Sequence, residues 1–221
     1  MGAAAGPNVV EDGLVLALDA GNTKSYPGSG TTWSDLSGQS NDGTLTNGPT
    51  FSSDNGGSIV FDGSNDEIIC TNNASVQITV GTISAWINAN NGNTAVHGII
   101  AKQAAWGLFV WGNTLRTYDW GNAVDRDTGI TVGNSTWNYV AMSFTETIGT
   151  PSNNAIIYLN GTAVLTTTVK HLSNNVTVQV GEANYSQHFG GKIAQASVYN
   201  RVLTATEVLQ NYDALKGRYV N

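Results

Sequence analysis

An aromatic-rich stretch from Trp106 to Asp127 holds the residues with the clearest potential for ligand recognition. Flat rings can stack on the apolar face of a sugar, while short polar side chains bond its hydroxyl groups. On a strand from Leu115 to Trp120, alternation would give one face an aromatic platform with a cation beside it. That face carries Arg116, Tyr118 and Trp120, and the opposite face carries Leu115, Thr117 and Asp119. The candidate ligand-binding residues are Trp111, Arg116, Tyr118, Asp119, Trp120, Asn122 and Arg126. The alternative is that two of the rings belong to the core and the charges solvate a long loop.

A second set of polar residues lies in Gly-rich turns earlier in the chain. Calcium takes six to eight oxygen ligands from carboxylates, amides and backbone carbonyls, and these turns offer all three. The candidate metal ligands are Asp35, Asn41, Asp42, Asp62 and Asp66. A structural Ca²⁺ is the cofactor that they would hold. The alternative is that these are turn residues whose side chains bond their own backbone.

The carboxylates do not follow a catalytic pattern. Glycoside hydrolysis needs two carboxyl groups held about 5–9 Å apart, whereas the glutamates Glu11, Glu67, Glu146, Glu182 and Glu207 each stand alone. The nucleophile-elbow and zinc-protease motifs are missing from the sequence, and His97, His171 and His188 are too scattered to suggest a metal site. The sequence therefore predicts a protein that is not an enzyme.

The elements that must position these residues read as short strands separated by turns. Strand-like segments are 13–18, 57–61, 80–87, 97–101, 106–111, 137–144 and 155–159. Val140, Met142 and Phe144 alternate with smaller residues, which indicates a sheet with one face in the core. Asn160-Gly161 between two apolar runs predicts a type I′ hairpin, because both central residues of that turn need positive φ.

One helix is predicted near the C-terminus. Thr204 and Glu207 have capping-box spacing, Val208, Tyr212 and Leu215 follow on one face, and Gly217 is placed to end the helix. The domain prediction is a flexible N-terminal arm over residues 1–8 and a single domain over residues 9–221.

Composition excludes several partners. The chain has 221 residues, a formal net charge of −7 and only 9 Lys plus Arg, which argues against a nucleic-acid surface. No apolar run is long enough to span a bilayer. Since the N-terminal residues lack a secretory pattern and Cys70 is the one cysteine, we expect a buried, inert thiol and synthesis in a reducing cytoplasm.

Several segments, in order, resemble a known family. They are 33–45, 60–66, 82–87, 137–141, 157–161, 191–194 and 198–207. Together they resemble laminin-G-like, concanavalin-A-like lectin/glucanase domains over about residues 12–213. The resemblance implies an all-β jelly-roll sandwich of two antiparallel sheets with one short C-terminal helix. It also implies a structural calcium site near one edge and carbohydrate or protein ligands. The family often has an acidic residue where this chain has Ala194 or Gln195.

The amino-acid sequence of residues 18–22 and 25–33 is similar to that of virion proteins of tailed bacteriophages. This favours a non-enzymatic virion surface protein (a capsid decoration, appendage or fibre component) that stabilises the particle, binds host-surface glycan, or does both. It would be made in the host bacterial cytoplasm. Its expected partners are other virion structural proteins and host-surface glycan, with a homo-oligomer left open. One alternative is a free carbohydrate-binding module or adhesin domain. Another is a stabiliser that binds no sugar, which would require Tyr118 and Trp120 to be buried.

Overall fold

The computed structural model describes residues 7–90, 95–172, 175–183 and 186–220. Residues 1–6 of the predicted arm lie outside the described residues. The strands are β1 (Leu14–Asp19), β2 (Thr32–Trp33), β3 (Gly43–Thr46), β4 (Thr50–Ser52), β5 (Ser58–Asp62), β6 (Glu67–Cys70), β7 (Gly81–Ala89), β8 (Val96–Lys102), β9 (Trp106–Trp111), β10 (Thr114–Asp119), β11 (Val124–Thr131), β12 (Trp137–Phe144), β13 (Ala155–Leu159), β14 (Thr162–Thr167), β15 (Val178–Val180) and β16 (Gly190–Tyr199). The helix α1 spans Ala205–Tyr219, and short 3-10 turns cover Asp54–Gly56 and Ala74–Val76.

These strands form two sheets of eight strands each. The first sheet has the order β14-β13-β12-β7-β16-β5-β4, with β1 also pairing with β16. The second has the order β11-β10-β9-β8-β15-β6-β3-β2. The pairings are antiparallel, among them the long ladders of β7 with β12 and β16. The predicted all-β sandwich of two antiparallel sheets with one C-terminal helix is confirmed.

The main core lies between the two sheets. Every second residue of β12, namely Val140, Met142 and Phe144, is buried there, and so are Trp106, Leu108 and Val110 of β9. Because side chains alternate along a strand, Phe109 and Trp111 must lie on the outer face of the second sheet. This alternation decides which residues of β9 are available to a ligand.

The outer face of the first sheet is also buried, which differs from the predicted sheet with one face in the core. Helix α1 covers it, packing Val208 and Tyr219 against Trp86, Tyr139 and Tyr199. The ring of Trp86 lies 4.7 Å from that of Tyr219, centroid to centroid. The small residues that alternate along β12 therefore make room for a second apolar layer.

The helix begins as predicted but ends later. Thr204 Oγ1 accepts from the Glu207 amide, and Glu207 reaches back to the Thr204 amide, so the capping box is present. Arg201 binds the Glu207 carboxylate and, with the backbone bond from Thr204, lowers the pKa of Glu207 to about 2. The prediction that Gly217 ends the helix is wrong, because α1 continues to Tyr219.

Other local predictions hold. Asn160 and Gly161 have φ values of 50° and 80° and join β13 to β14, as a type I′ hairpin requires. Cys70 is buried, and burial raises the pKa of its thiol to about 12. In the described residues, no helix is long and apolar enough to cross a membrane.

Candidate functional site

Two consecutive hairpins on the outer face of the second sheet build the candidate site. The turn between β9 and β10 is tight, with φ of 60° at Gly112 and 66° at Asn113. In β10 the buried residues alternate with half-buried ones. Leu115, Thr117 and Asp119 point inward, whereas Arg116, Tyr118 and then Trp120 face outward. The alternation predicted from the sequence is therefore present.

The outward residues line a groove of about 400 Å³, called here the aromatic groove. Its lining consists of Val96, Gln103, Phe109, Trp111, Arg116, Thr117, Tyr118, Trp120, Asp125, Ala183 and Gln187. The groove thus combines aromatic rings, two side-chain amides and a charged pair on one face of a sheet.

The aromatic rings support one another edge to face. The Trp120 ring lies 5.5 Å from Tyr118 at 74° and 5.9 Å from Phe109 at 61°, measured between centroids. Trp111 stands apart from this cluster and is 38% exposed. Because edge-to-face packing fixes the orientation of each ring, the groove offers a preformed apolar surface.

Arg116 is held by four neighbours. Its Nε donates to the Trp111 carbonyl at 3.1 Å and to Thr114 Oγ1 at 3.0 Å. Nη1 pairs with Asp125, and Nη2 pairs with Asp127 at 2.9 Å. The guanidinium carbon lies 4.8 Å from the centroid of the Trp111 ring. Arg116 therefore covers one face of the Trp111 ring. The exposed part of that ring lies away from the guanidinium.

The other predicted ligand residues do not line the groove. Asp119 is fully buried and accepts from Arg126 Nη2 and from Asn122 Nδ2, both at 2.9 Å. Arg126 also donates to the Thr168 carbonyl at 3.3 Å. These three residues tie the turn after β10 to the neighbouring loop. The predicted set is therefore divided, with Trp111, Arg116, Tyr118 and Trp120 at the groove and Asp119, Asn122 and Arg126 outside it.

Several groove residues were missing from the predicted set. Phe109 could have been found, because it lies two residues before Trp111 and so shares its face. Gln187 carries no local signal, since it comes from a segment distant in the chain, and Gln103 lies in the turn before β9, where no alternation indicates its direction. Gly98 makes this approach possible: its amide donates to the Gln187 carbonyl at 2.8 Å, and a Cβ there would lie 2.4 Å from the Ala183 nitrogen.

The first group of predicted metal ligands stabilises a turn. Asp35 accepts from the Ala17 and Ser37 amides on one carboxylate oxygen and from the Asn41 amide on the other. Asp42 Oδ1 accepts from the Asp35 amide at 2.8 Å. The Asn41 Nδ2 donates to the Val15 carbonyl and to Ser75 Oγ, and the buried Asn41 Oδ1 has no hydrogen-bond partner among the described residues.

The second group lies elsewhere. Asp62 accepts from the Ser64 amide, which lowers the pKa of Asp62, while burial raises the pKa of Asp66. Asp42 precedes β3 and Asp66 precedes β6. Because these strands are antiparallel, the two groups lie at opposite ends of the ladder, about 14 Å apart. No group of three or more His, Cys, Asp or Glu that could hold a metal ion occurs among the described residues. The structure does not bring the five residues together at one site, and structural calcium stays a prediction.

Two buried titratable groups lie outside the groove. Lys102 is fully buried, and its Nζ donates to Asn72 Oδ1 at 3.0 Å and to the Val176 carbonyl at 2.8 Å. Burial lowers its pKa to about 8. Burial also lowers the pKa of His171 to about 4, and its ring packs 5.9 Å from Phe144. Neither group lines the aromatic groove, so their burial bears on the stability of the fold and not on the candidate site.

The sequence matches the profile of the concanavalin A-like lectin/glucanases superfamily over residues 62–209. The chain therefore belongs to this superfamily. A comparison with curated proteins finds no match to the chain.

Solved structures share the fold at low sequence identity. The binding domain of Paraclostridial Mosquitocidal Protein 1 matches with a TM-score of 0.72 and 18% identity, covering 91% of this chain and 52% of that one. The binding domain of Botulinum Neurotoxin DC in complex with SialylT matches with a TM-score of 0.70 and 19% identity, covering 93% and 52%. The chain thus spans about half the length of these toxin domains. Domain 4 of AbnA, a GH43 extracellular arabinanase from Geobacillus stearothermophilus in complex with arabinotriose, matches with a TM-score of 0.64 and 17% identity, covering 90% and 98%.

Proposed function

We propose that the protein is a non-enzymatic carbohydrate-binding protein and that the aromatic groove is its binding site. The observation that carries the proposal is the convergence of Trp111, Tyr118 and Trp120 on one groove with two side-chain amides. A ring can cover the apolar face of a pyranose, and amides can both donate to and accept from its hydroxyl groups.

The position of each group suits this role. Trp111 is the exposed ring and would stack on the sugar, while Tyr118 and Trp120 form the more buried wall. Gln103 and Gln187 come from separate loops and would fix the orientation of the sugar. Since Tyr118 and Trp120 are half-buried and line the groove, they favour binding over the purely structural alternative.

The charges of the groove argue against hydrolysis. Among the described residues that line it, Asp125 is the single carboxylate, and it is paired with Arg116. Cleavage of a glycosidic bond needs a second carboxyl group across the bond. The proposal is therefore recognition without turnover.

Structural neighbours give the proposal further support. Two of them are complexes with a saccharide, SialylT in a toxin binding domain and arabinotriose in an arabinanase domain. A further neighbour, the binding domain of Botulinum neurotoxin DC, is in complex with rat synaptotagmin II, a protein. Domains with this fold thus bind saccharides or proteins in other chains. For the present chain, the aromatic groove favours a sugar ligand.

The test is glycan binding by Trp111→Ala. If the indole stacks on the ligand, its loss should weaken binding about tenfold or more, and Trp111→Phe should keep part of the affinity. Binding would be measured on a glycan array and then by calorimetry with the best glycan. Leu209→Ala, on the exposed side of helix α1, is the control and should bind like the parent. Equal binding by Trp111→Ala and the parent, with both folded, would contradict the proposal.

We propose the virion surface of a tailed bacteriophage as the setting, after synthesis in the bacterial cytoplasm. This setting is supported by the amino-acid sequence of residues 18–22 and 25–33, which resembles that of such virion proteins. The test is whether the protein co-purifies with intact particles in stoichiometric amounts. Its presence only in the free fraction of a lysate would favour the alternative, a free carbohydrate-binding module or adhesin domain.

A further inference from the structure

We infer that the aromatic groove selects uncharged sugars and discriminates against acidic ones, with Arg116 acting as a positioning residue for Trp111. This inference rests on the proposed carbohydrate-binding function. It concerns the charge of the ligand, which neither the fold nor the superfamily specifies.

The charged side chains at the groove are Arg116 and Asp125 in its lining and Asp127 beside it, and together they carry a net negative charge. Asp127 lies directly opposite Arg116 in the β10–β11 ladder, and Asp125 lies opposite Tyr118, so both carboxylates share the face of the groove. Together they place two negative charges around the one guanidinium. Apart from Arg116 and Asp125, the described residues of the lining are uncharged, and Asp127 borders the lining without forming part of it.

The guanidinium is occupied by the protein itself. Each of its three nitrogens has a partner, as Nε binds the Trp111 carbonyl and Thr114 while the two terminal nitrogens bind Asp125 and Asp127. An acidic sugar would have to displace one of these carboxylates to reach the cation. Lys170 does not supply a substitute, because its methylene groups pack against Gly121 and it does not line the groove.

The same contacts explain what Arg116 does. It fixes the Trp111 ring from one side while its charge is neutralised. A neutral sugar can then use the ring and the amides of Gln103 and Gln187 without meeting an unpaired charge. A sugar carboxylate would meet Asp125 in the groove and lie near Asp127 beside it, and like charges at such distances repel.

The experiment compares sugars that differ by one carboxylate. Methyl glucoside against methyl glucuronide and methyl galactoside against methyl galacturonide are suitable pairs, since each differs only by CH2OH against a carboxylate. The parent protein should bind the neutral member roughly three- to tenfold more tightly at low salt. The difference should shrink in about 0.5 M NaCl, because salt screens the repulsion.

The double variant Asp125→Asn/Asp127→Asn tests the cause. It retains side-chain shape and leaves Arg116 as an unneutralised cation, so the preference should disappear or reverse toward the acidic member. Asp213→Asn is the matched control: Asp213 pairs with Lys216 on helix α1, against the other sheet, and its removal should leave the ratio unchanged. Arg116→Lys should lower affinity for neutral sugars, because it loses the forked contacts to both carboxylates, without creating a preference for acidic ones.

The outcomes separate the two proposals. Binding of neutral sugars that depends on Trp111, with the preference removed by the double variant alone, supports both. Binding that depends on Trp111 but is equal or tighter for acidic sugars overturns the charge selection and leaves carbohydrate recognition standing. If no carbohydrate binds to the folded protein, both proposals fail.

Discussion

At the scale of single residues, Lys102 is the most unusual group in the core. Its ammonium has two neutral hydrogen-bond acceptors, and no carboxylate pairs with it in the part of the chain that the structure describes. A buried charge that lacks an opposite charge costs folding free energy, and the lowered pKa of about 8 expresses that cost. An apolar side chain at this position of β8 would therefore make the folded protein more stable.

We therefore expect Lys102→Met to stabilise the protein by about 1–2 kcal/mol at pH 7. Asn72 Oδ1 would lose its bond from Lys102 but still accepts from Gln77 Nε2 at 2.6 Å. The substitution therefore leaves few hydrogen-bond acceptors unsatisfied. The gain should shrink above pH 8. The unfolded lysine stays protonated up to about 10.5 while the folded one loses its proton near 8, so the stability of the parent rises with pH across that interval.

Urea unfolding of both proteins at pH 7 and pH 9.5 measures this difference. Lys192→Met is the control, since Lys192 is partly exposed and lies 3.7 Å from the Asp54 carboxylate. Its effect should stay within about 0.5 kcal/mol. A Lys102→Met protein that is less stable than its parent at pH 7 would show that the two hydrogen bonds outweigh the cost of burial.

At the scale of elements, signals confined to a few residues were predictable from the sequence. The Asn160-Gly161 turn and the Thr204/Glu207 capping box depend on local backbone geometry, so their residue types suffice. The end of helix α1 depends on distant contacts. Tyr219 packs 4.9 Å from Trp137, centroid to centroid, and Arg218 binds Asp19 at 2.8 Å. These contacts stabilise the last turn of the helix beyond Gly217, which would otherwise favour its termination.

The candidate site divides in the same way. The period of two along β10 predicted which side chains share the face of Tyr118, and it also placed Asp119 on the opposite face. The prediction that Asp119 is a ligand residue did not follow from this alternation. Gln103 and Gln187 reach the groove through the pairing of β8 with β9 and the loop before β16, which composition and spacing along the chain do not encode.

Since Gly217 lies inside the helix, Gly217→Ala should stabilise the protein by roughly 0.5–1 kcal/mol. A Cβ there would have no atom within 4 Å, so no contact opposes the gain in helix propensity. Thermal and urea unfolding measure the change. Gly161→Ala is the contrasting control: its φ is 80° and a Cβ would lie 2.7 Å from Leu209 Cδ1, so it should destabilise. A destabilising Gly217→Ala would indicate that the helix ends before Tyr219 in solution.

At the scale of the whole molecule, the two outer faces of the sandwich differ in structure. The aromatic groove lies on the second sheet, and helix α1 covers the first. Under the proposed function, sugar binding on the groove face would leave the helix-covered face available for attachment to a larger assembly. Many attached copies would make a weak single-site affinity sufficient, because linked sites multiply avidity.

The helix is nevertheless part of the fold and cannot be removed as an independent anchor. A chain that stops at Leu203 would expose the buried layer of Trp86, Tyr139 and Tyr199. Uncovering three large aromatic side chains costs several kcal/mol, a large share of the stability of a domain. We expect this variant to bind a hydrophobic dye, aggregate and lose its cooperative unfolding transition.

Near-ultraviolet circular dichroism, dye fluorescence and thermal unfolding would measure that loss. Leu209→Ser serves as the comparison, since Leu209 is 43% exposed and its substitution leaves the aromatic layer covered. It should unfold cooperatively like the parent, so attachment through the helix is better tested by such surface variants than by deletion. A truncated chain with the parent's spectrum and melting temperature would show that the sheet needs no cover, and the helix would then be free to act as a detachable arm.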